Sequence, residues 1–318
     1  MFKSDLVVVA SALDDAARLG GRLGEATRYH LASRGSAWRA RLAIACGLAL
    51  HVRRDDIARL AVACGLVHQA STVHDGVQDG APMRRGSDSV TAKFGAATAL
   101  CVGDHLLICA FAQLASLPRS PALTRLIAAG SSEMAAAQAE KFSTALWPTM
   151  TWQRYEALIG GKSGAMVVMS VVGAALLAGV LAADVAELIL VARMLGMSYQ
   201  TGDDIEDLSA NIASGSLNGV VVRVMDAAGE QQRAMWIELL ARGRSGSLSE
   251  AKAAHASASL RPEAALTQDW ILTLLSSASA TLRGRASLRC SGLVPVIDQT
   301  AEALSKCVAL DRESRHAA

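Results

Sequence analysis

Two aspartates, Asp75 and Asp79, stand four positions apart in the stretch VHDGVQDGAPMRRG, residues 73–86, and an arginine doublet follows them. Positions i and i+4 lie on one face of a helix, so the two carboxylates would stand side by side. Two like charges in that position repel each other unless a cation lies between them. The spacing therefore indicates a cation-binding site, although a single pair of this kind is also typical of an exposed polar helix end.

A second acidic cluster, YQTGDDIEDL at residues 199–208, repeats the spacing with Asp203 and Asp207. Both clusters end long, mostly apolar segments, so we expect two helix ends whose carboxylates face one cavity. Mg²⁺ suits such ligands, because it takes one or two carboxylates, keeps several waters and completes its shell with substrate phosphates. Arg84 and Arg85 would bind phosphate oxygens through forked hydrogen bonds. Together these residues predict a pocket for Mg²⁺ and a diphosphate.

The elements that must position these residues are helices. Aromatic residues are only 4% of the chain, alanine and leucine dominate, and segments with a 3.6-residue period follow one another without a convincing strand. We predict an all-α fold, a single domain over residues 1–318 with roughly ten to twelve helices around a central cavity. The predicted helices cover residues 5–33, 38–52, 55–79, 91–116, 121–145, 151–182, 184–210, 217–225, 229–243, 248–257, 262–285 and 293–311.

One apolar segment, SGAMVVMSVVGAALLAGVLAA at residues 163–183, carries no charge and is long enough to cross a bilayer. Its many small residues, the adjacent Lys162 and the lack of a second such segment favour a helix buried on all sides of a helical protein. We therefore expect no membrane span.

Charge and cysteine content limit the remaining classes of function. The net charge is +2, from 31 basic and 29 acidic residues, which gives no general attraction to nucleic acid. The six cysteines form no CxxC pair and mostly lie in apolar segments, as free thiols do in a reducing compartment. The N-terminal residues make a poor secretory signal, so we expect a cytoplasmic protein.

The motifs resemble those of the trans-prenyl diphosphate synthases, all-helical enzymes with two aspartate-rich motifs. Residues 66–107 are similar to the family's first motif with its RRG, its KFG and the GD helix that follows. GGKSGA at residues 160–165 resembles the family's lysine segment, and YQTGDDIEDL resembles its second motif. The likeness runs in order from about residue 30 to residue 210. It implies the isoprenoid synthase fold and a chain-elongating prenyltransferase, geranylgeranyl or farnesyl diphosphate synthase-like.

The resemblance also implies how the first substrate, an allylic diphosphate, is bound. Asp75 and Asp79 match the first and last aspartates of the first motif, and Asp203 and Asp207 match those of the second. In the family these regions hold about three Mg²⁺ on the allylic diphosphate. The groups that contact this diphosphate are matched by Arg84 and Lys162.

Isopentenyl diphosphate is the second substrate that the resemblance implies. The groups that hold it are matched by Arg39, His68 and Arg85, and the lysine segment and second motif add three further substrate-binding positions: Ser163, Gln200 and Asp204. In the family, bulky residues four or five positions before the first motif close the product channel. Here Ala70 and Ser71 occupy those positions, which predicts a product of about twenty carbons or more.

Three positions depart from the family's pattern. Gly76 replaces the second aspartate of the first motif, while Ser36 and Ser216 replace lysines that contact diphosphates. Each lost lysine removes a charge-assisted contact of roughly 1.5–3 kcal/mol. Metal binding should survive at Gly76, because the two positions on the shared helix face are kept.

The departures leave three functions open. The first is a working chain-elongating synthase, the second a terpene cyclase or lyase on the same scaffold, and the third a non-catalytic partner subunit of a true synthase. Retention of the second motif, of Lys162 and of both arginines favours an enzyme. The resemblance further implies a homodimer, with which the apolar surplus of the sequence is compatible.

Overall fold

The computed structural model describes residues 3–33, 35, 37–142, 146–285 and 290–316. The described residues are almost entirely helical, and a π-helical turn, Gly160–Gly164, joins the ninth α-helix to the tenth. The α-helices are α1 (Lys3–Ala16), α2 (Gly21–Ala32), α3 (Trp38–Ala49), α4 (Arg54–Gln78), α5 (Val90–Phe94), α6 (Ala96–Ala115), α7 (Ser120–Lys141), α8 (Leu146–Thr149), α9 (Trp152–Ile159), α10 (Ala165–Ala178), α11 (Ala182–Glu206), α12 (Leu208–Ser214), α13 (Gly219–Ala227), α14 (Glu230–Arg244), α15 (Glu250–Ser259), α16 (Arg261–Arg285) and α17 (Leu293–His316).

The all-α prediction is confirmed, but the described residues form seventeen α-helices rather than ten to twelve. Several predicted helices are divided by residues that leave the helical conformation. The segment predicted at 5–33 breaks before Gly21, which has a φ of 66°, and the one at 91–116 breaks at Gly95, which has a φ of 83°. Glycine adopts such positive φ values without strain, so these breaks have a local cause.

A short β-hairpin lies between α4 and α5, where no strand was predicted. Strands β1 (Met83–Arg84) and β2 (Ser87–Asp88) pair antiparallel, with Met83 opposite Asp88. The two turn residues, Arg85 and Gly86, have φ values of 51° and 77°, as in a type I′ turn. Two-residue strands are too short to show an alternating pattern, so the sequence could not reveal them.

The chain is grouped into two compact units. Unit 1 comprises Met1–Ser131, Met166–Ile189 and Ala286–Val296, and unit 2 comprises Ser132–Ala165, Leu190–Arg285 and Ile297–Ala318. The single domain expected over residues 1–318 stays a prediction.

In unit 1, helices α4 and α6 pack closely side by side. Leu60 and Leu66 of α4 and Leu106 of α6 are fully buried. A Cβ at Gly103 of α6 would lie 2.2 Å from Nε2 of His74 on α4, so a side chain at this position would require the His74 ring to move. His74 Nε2 also lies 3.3 Å from the Asp104 carboxylate. The packing fixes the end of α4, which carries the first aspartate pair.

In unit 2, α13 is the most buried helix around the second motif. Val220, Val221 and Val222 have no exposed surface. Beside them, Trp152 makes an edge contact with Trp270, the ring centroids being 4.9 Å apart. These apolar contacts hold the N-terminal end of α13 in place.

Two described helices are long and apolar enough to cross a membrane. The continuous helix Trp152–Ala178 contains most of the segment predicted to be buried, and 72% of its most apolar window is buried. The second is Ala96–Ala115, with 33% of its window buried. The expectation that no second apolar segment exists is therefore wrong. Since buried core helices pass the same test of length and composition, the expected lack of a membrane span stays a prediction.

Candidate active site

The two aspartate pairs have nearly the same local geometry. Asp79 follows the last residue of α4, and its N–H donates to the Asp75 carbonyl at 2.8 Å. Asp207 follows α11 in the same way, and its N–H donates to the Asp203 carbonyl at 2.9 Å. In each pair the first aspartate is half-buried and the second is exposed. Each pair therefore presents two carboxylates from one helical turn, as the spacing predicted.

The pairs belong to different units, Asp75 and Asp79 to unit 1 and Asp203 and Asp207 to unit 2. The expectation that they face one cavity stays a prediction.

The β-hairpin positions the arginine doublet in unit 1. Arg84 is half-buried on β1, and Arg85 is exposed in the turn. The Arg85 guanidinium donates to the Ser33 carbonyl at 2.8 Å. A Cβ at Gly35 would lie 2.7 Å from Arg85 Nη2, so a glycine at this position lets the guanidinium approach the backbone. Arg85 thus connects the hairpin to the segment after α2.

Arg39 of α3 and His68 of α4 form a pair in the same unit. Arg39 Nη1 lies 3.4 Å from His68 Nε2. Burial, and after it the positive charges of Arg39, Arg85 and Arg84, together lower the pKa of His68 to about 2. His68 is therefore neutral at pH 7, and its ring offers one N–H donor and one acceptor.

The two positions assigned to product length lie one turn before the first motif. Ala70 is buried, 3% of its surface being exposed, and Ser71 is half-buried. The Ser71 hydroxyl donates to the His68 carbonyl of its own helix at 2.9 Å. Both side chains are small, as the sequence shows, and their role in product length stays a prediction.

In unit 2 the π-helical turn presents Lys162 and Ser163. The Lys162 ammonium donates to the side-chain oxygen of Gln138 on α7. The hydroxyl of Ser163, which is buried, donates to the side-chain oxygen of Gln200 on α11 at 2.7 Å. Single π-helical turns are frequent at functional sites, and this one turns two adjacent side chains toward separate partners.

A glycine contact holds the π-helical turn against α11. A Cβ at Gly196 would lie 2.5 Å from the Ser163 carbonyl oxygen and 2.6 Å from Gly164 Cα. The backbones therefore approach more closely than any side chain at Gly196 would allow. Gln200 follows one turn later on α11, which explains how it reaches Ser163.

Asp204 of the second motif is buried, 5% of its surface being exposed, and has three donors. Tyr155 O–H and Gly219 N–H each donate to its Oδ2 at 2.7 Å, and the Gln200 amide donates to its Oδ1 at 3.1 Å. Burial raises the pKa of Asp204 to about 6, although these hydrogen bonds oppose the shift. The structure thus gives Asp204 a positioning role toward Gln200 and α13, and the substrate contact assigned to it stays a prediction.

Two of the three departures lie in described segments. Ser216 lies in the turn between α12 and α13, and its hydroxyl is 2.8 Å from that of Ser214. Gly76 is buried on α4 and lines a cavity with both arginines of the hairpin. Ser36 lies outside the described residues.

The carboxylate pairs fit Mg²⁺ in donor type and number. Among the described residues, no three His, Cys, Asp or Glu side chains gather into a metal site. Two carboxylates with an exposed member suit an ion that keeps several waters and takes further oxygens from a phosphate, whereas a closed zinc site would need four protein ligands.

Sequence reasoning missed three residues of these groups: His30, Gln138 and Tyr155. Burial lowers the pKa of His30 to about 4, with Arg85 adding to the effect. Gln138 and Tyr155 lie on α7 and α9, far along the chain from the residues they bind. No spacing rule connects such positions, so only the tertiary structure identifies them.

Comparisons with known proteins agree with this geometry. A sequence model of the family described as polyprenyl synthetase matches residues 21–249. The octaprenyl diphosphate synthase of Haemophilus influenzae is 27% identical over 189 residues, which are 59% of this chain and 57% of that protein. A probable farnesyl diphosphate synthase of Bradyrhizobium diazoefficiens is 34% identical over 200 residues, 59% of this chain and 60% of that protein. The matches thus span less than two thirds of these relatives.

The fold is found again in solved structures. The polyprenyl synthase from Caulobacter crescentus CB15, in a crystal structure with calcium and isoprenyl diphosphate, has a TM-score of 0.81 at 21% identity. The match covers 94% of this chain and 95% of that one. At this level of identity the likeness shows the fold, and it confirms the predicted isoprenoid synthase architecture.

Proposed function

This chain belongs to the polyprenyl synthetase family, and from that premise we propose that it is a Mg²⁺-dependent prenyltransferase that elongates an allylic diphosphate with isopentenyl diphosphate. The observation that carries the proposal is the shared geometry of the two aspartate pairs, each on one helical turn with an exposed member. The resemblance of both motifs to those of the family supports the same reading.

The carboxylates of Asp75, Asp79, Asp203 and Asp207 are the residues that would hold Mg²⁺. When bound, the ions would neutralise the negative charge of the diphosphate group as it departs. The Caulobacter crescentus protein was solved with calcium and isoprenyl diphosphate, which supports divalent cation binding by this fold.

Arg84 and Lys162 would bind oxygens of the allylic diphosphate. The hairpin holds the Arg84 side chain half-buried, and Gln138 orients the Lys162 ammonium. Positive groups held in place before the reaction stabilise charge that develops on a leaving group, without proton transfer. Breaking the carbon–oxygen bond leaves an allylic cation, which the double bond of isopentenyl diphosphate attacks. Loss of a proton, with the released diphosphate as base, then gives a chain longer by one isoprene unit.

Arg39, His68 and Arg85 would hold isopentenyl diphosphate. Because His68 is neutral, its ring N–H binds a phosphate oxygen as a hydrogen-bond donor and adds no charge. The two arginines supply the charge and match phosphate oxygens with forked donors. This set of groups favours a phosphate ligand over a neutral one.

We further propose a product of about twenty carbons or more, because Ala70 and Ser71 leave the channel open at the positions that bulky residues close in the family. The two relatives named above are an octaprenyl and a probable farnesyl diphosphate synthase, so family membership alone leaves the product length open.

We also propose a homodimer in which α6 supplies the interface. Although α6 is one of the most apolar helices described, Ile108 is 66% exposed and Leu100 47% exposed on it. Exposed apolar surface on one helix face is typical of a protein–protein interface. Asp104 is the charged residue on this face.

Product analysis with Mg²⁺ and labelled substrates tests the proposal. An elongating synthase consumes both diphosphates, a cyclase or lyase consumes the allylic one alone, and a regulatory subunit releases no diphosphate. We expect Asp75→Asn and Asp203→Asn to lower elongation on the order of 100-fold or more. Asp55→Asn, at the opposite end of α4, is the matched control and should keep the wild-type rate. Elongation that persists in both motif variants would contradict the proposal.

A further inference from the structure

A closed set of hydrogen bonds joins α9 and the π-helical turn to α11, all within unit 2. The Ser163 hydroxyl donates to Oε1 of Gln200 at 2.7 Å, and Nε2 of Gln200 donates to Oδ1 of Asp204 at 3.1 Å. The Tyr155 hydroxyl donates to Oδ2 of Asp204 at 2.7 Å. Since Tyr155 and Ser163 lie on one continuous helix, the backbone between them closes the set. We call these four residues the Tyr155 network.

Asp204 sets the direction of the hydrogen bonds in the Tyr155 network. A carboxylate accepts hydrogen bonds, so Gln200 must turn its NH₂ group toward Asp204. The side-chain oxygen of Gln200 then faces Ser163, whose hydroxyl is its donor. The position of the Asp204 carboxylate therefore determines how Gln200 holds the π-helical turn.

The Tyr155 hydroxyl reaches Asp204 because residue 219 is a glycine. A Cβ at Gly219 would lie 2.5 Å from the Tyr155 hydroxyl oxygen and 2.6 Å from its Cζ. The Gly219 N–H also donates to Oδ2 of Asp204 at 2.7 Å. A side chain at position 219 would therefore push the hydroxyl away from the carboxylate.

Aromatic packing holds the Tyr155 side chain in place. Tyr155 is 1% exposed, and its ring lies beside that of Trp152, with the centroids 5.1 Å apart. The Arg223 guanidinium in turn lies over the Trp152 ring, 4.0 Å from its centroid. A side chain locked by such packing can support the residues of a functional site.

The Tyr155 network connects the second aspartate pair to the π-helical turn. On the last turns of α11, Asp204 is buried, whereas Asp203 is half-buried and Asp207 follows the helix as an exposed residue. At the other end of the network, Ser163 directly follows Lys162. The network thus links the carboxylates proposed to hold Mg²⁺ with the ammonium proposed to bind the diphosphate.

We propose that Tyr155 is a positioning residue of the second motif. Its hydroxyl fixes the Asp204 side chain and, with it, the turn that presents Asp203 and Asp207 to Mg²⁺. This inference rests on the proposed function. Loss of an outer group that orients metal ligands typically lowers metal affinity or activity 10- to 100-fold. Removing the hydroxyl should therefore weaken Mg²⁺ binding, although every proposed metal ligand stays in the chain.

Thermal unfolding with Mg²⁺ and inorganic pyrophosphate tests this inference without depending on enzymatic activity. A ligand that binds the folded protein raises its Tm, so a Mg²⁺ titration at fixed pyrophosphate gives a half-saturating Mg²⁺ concentration. We expect Tyr155→Phe, which removes the hydroxyl alone, to raise that concentration roughly 10-fold. A purely structural role would lower the Tm without ligand and leave the half-saturating concentration unchanged.

Thr201→Val is the matched control in the same buried region. Thr201 has no exposed surface, and its Oγ1 lies 3.3 Å from the Tyr155 hydroxyl oxygen, but it is not part of the Tyr155 network. Removing its hydroxyl should keep the wild-type half-saturating concentration. Gly219→Ala displaces the Tyr155 hydroxyl without changing that residue, so it should raise the concentration as Tyr155→Phe does.

The possible outcomes separate this inference from the proposed function. Wild-type half-saturation in both Tyr155→Phe and Gly219→Ala would overturn this inference alone. An equal rise in Thr201→Val would also overturn it, because any buried hydroxyl would then have the same effect. A wild-type protein that Mg²⁺ and pyrophosphate do not stabilise would overturn the proposed metal site together with the inference.

Discussion

His30 illustrates how much of this chain's chemistry depends on single buried side chains. It is only 6% exposed, and its pKa is lowered to about 4, first by burial and then by the charge of Arg85. Neither its type nor its spacing in RYHLAS distinguishes it from a surface histidine of a helix. Its neutral state is a product of tertiary packing.

The stability of the protein should therefore fall in mild acid. In the unfolded chain His30 binds a proton near pH 6.5, whereas in the folded chain it stays neutral until about pH 4. Between these pH values the unfolded state binds more protons, so the free energy of unfolding falls by about 3 kcal/mol from this group. Urea unfolding at pH 7, 6, 5 and 4 should show a smaller loss in His30→Gln. His255→Gln removes an exposed histidine and should follow the wild type.

The proposed product length depends on the small side chain of Ala70. Its buried position on α4, 3% exposed, lies five residues before Asp75. Ala70→Phe should shorten the product made from a given starter, as mass spectrometry of the chains would show. Ala70→Ser, which keeps the side chain small, should leave the length unchanged. If Ala70→Phe folds and makes the wild-type product, another residue limits the chain.

Spacing identified the paired aspartates well and the buried partners of the second motif poorly. The spacing of the aspartates at i and i+4 indicated cation sites, because like charges on one helix face repel each other unless a cation lies between them. The structure places each pair on one helical turn. Asp204, by contrast, looked like a member of the acidic cluster, but it is buried under donors from Tyr155 and Gly219. Hydrogen-bond partners such as Tyr155 and Gly219 lie in distant segments of the chain, so no local sequence pattern predicts them.

At the scale of elements, the predicted helices were correct where apolar periodicity was long and uninterrupted. Helix α4 was predicted at 55–79 and found at Arg54–Gln78. Breaks were missed where a single residue changes conformation, as at Gly95 within an otherwise helical sequence. The hairpin around Arg85 was missed because its strands have two residues each.

The close contact of Gly196 with the π-helical turn leaves no room for a side chain. Gly196→Ala places a methyl group 2.5 Å from the Ser163 carbonyl oxygen, so α11 and the turn must separate. We expect the free energy of unfolding to fall by about 1–3 kcal/mol. The rate of prenyl transfer should also fall, because Lys162 and Ser163 shift.

Gly202→Ala is the matched control on the same helix. Its Cβ would meet only Val308, at an ordinary 3.7 Å. Alanine favours a helix interior over glycine by about 1 kcal/mol, so this variant should be neutral or stabilised. Equal losses in both variants would show that close packing at Gly196 is not the cause.

At the scale of the whole molecule, the sequence predicted the fold class because composition and periodicity agree along the chain. It could not predict the grouping into two units, since no linker or change in composition marks a boundary between them. Compact units are defined by which segments pack together, and three separate segments of the chain contribute to each unit.

The proposed homodimer depends on the exposed apolar face of α6. Ile108→Glu introduces a charge on the exposed apolar face of α6 and should shift the protein from dimer to monomer in light scattering after size exclusion. Met235→Glu changes an equally exposed apolar residue, 65% against 66%, on α14 and should leave the mass unchanged. A wild-type protein that is monomeric at micromolar concentration would contradict the proposed interface.

The number of residues in the π-helical turn Gly160–Gly164 sets the direction of the side chains that precede it. A π turn contains one residue more than an α turn, and one residue corresponds to a rotation of roughly 100° about the helix axis. Deleting Gly161 would leave every reactive amino acid of the chain in place and could restore a regular helix. The side chains before the deletion would then point about a quarter of a circle away from their present direction relative to α10. A sequence comparison that counts only the residues that two chains share, and ignores the number of residues between them, would not detect this change in side-chain direction.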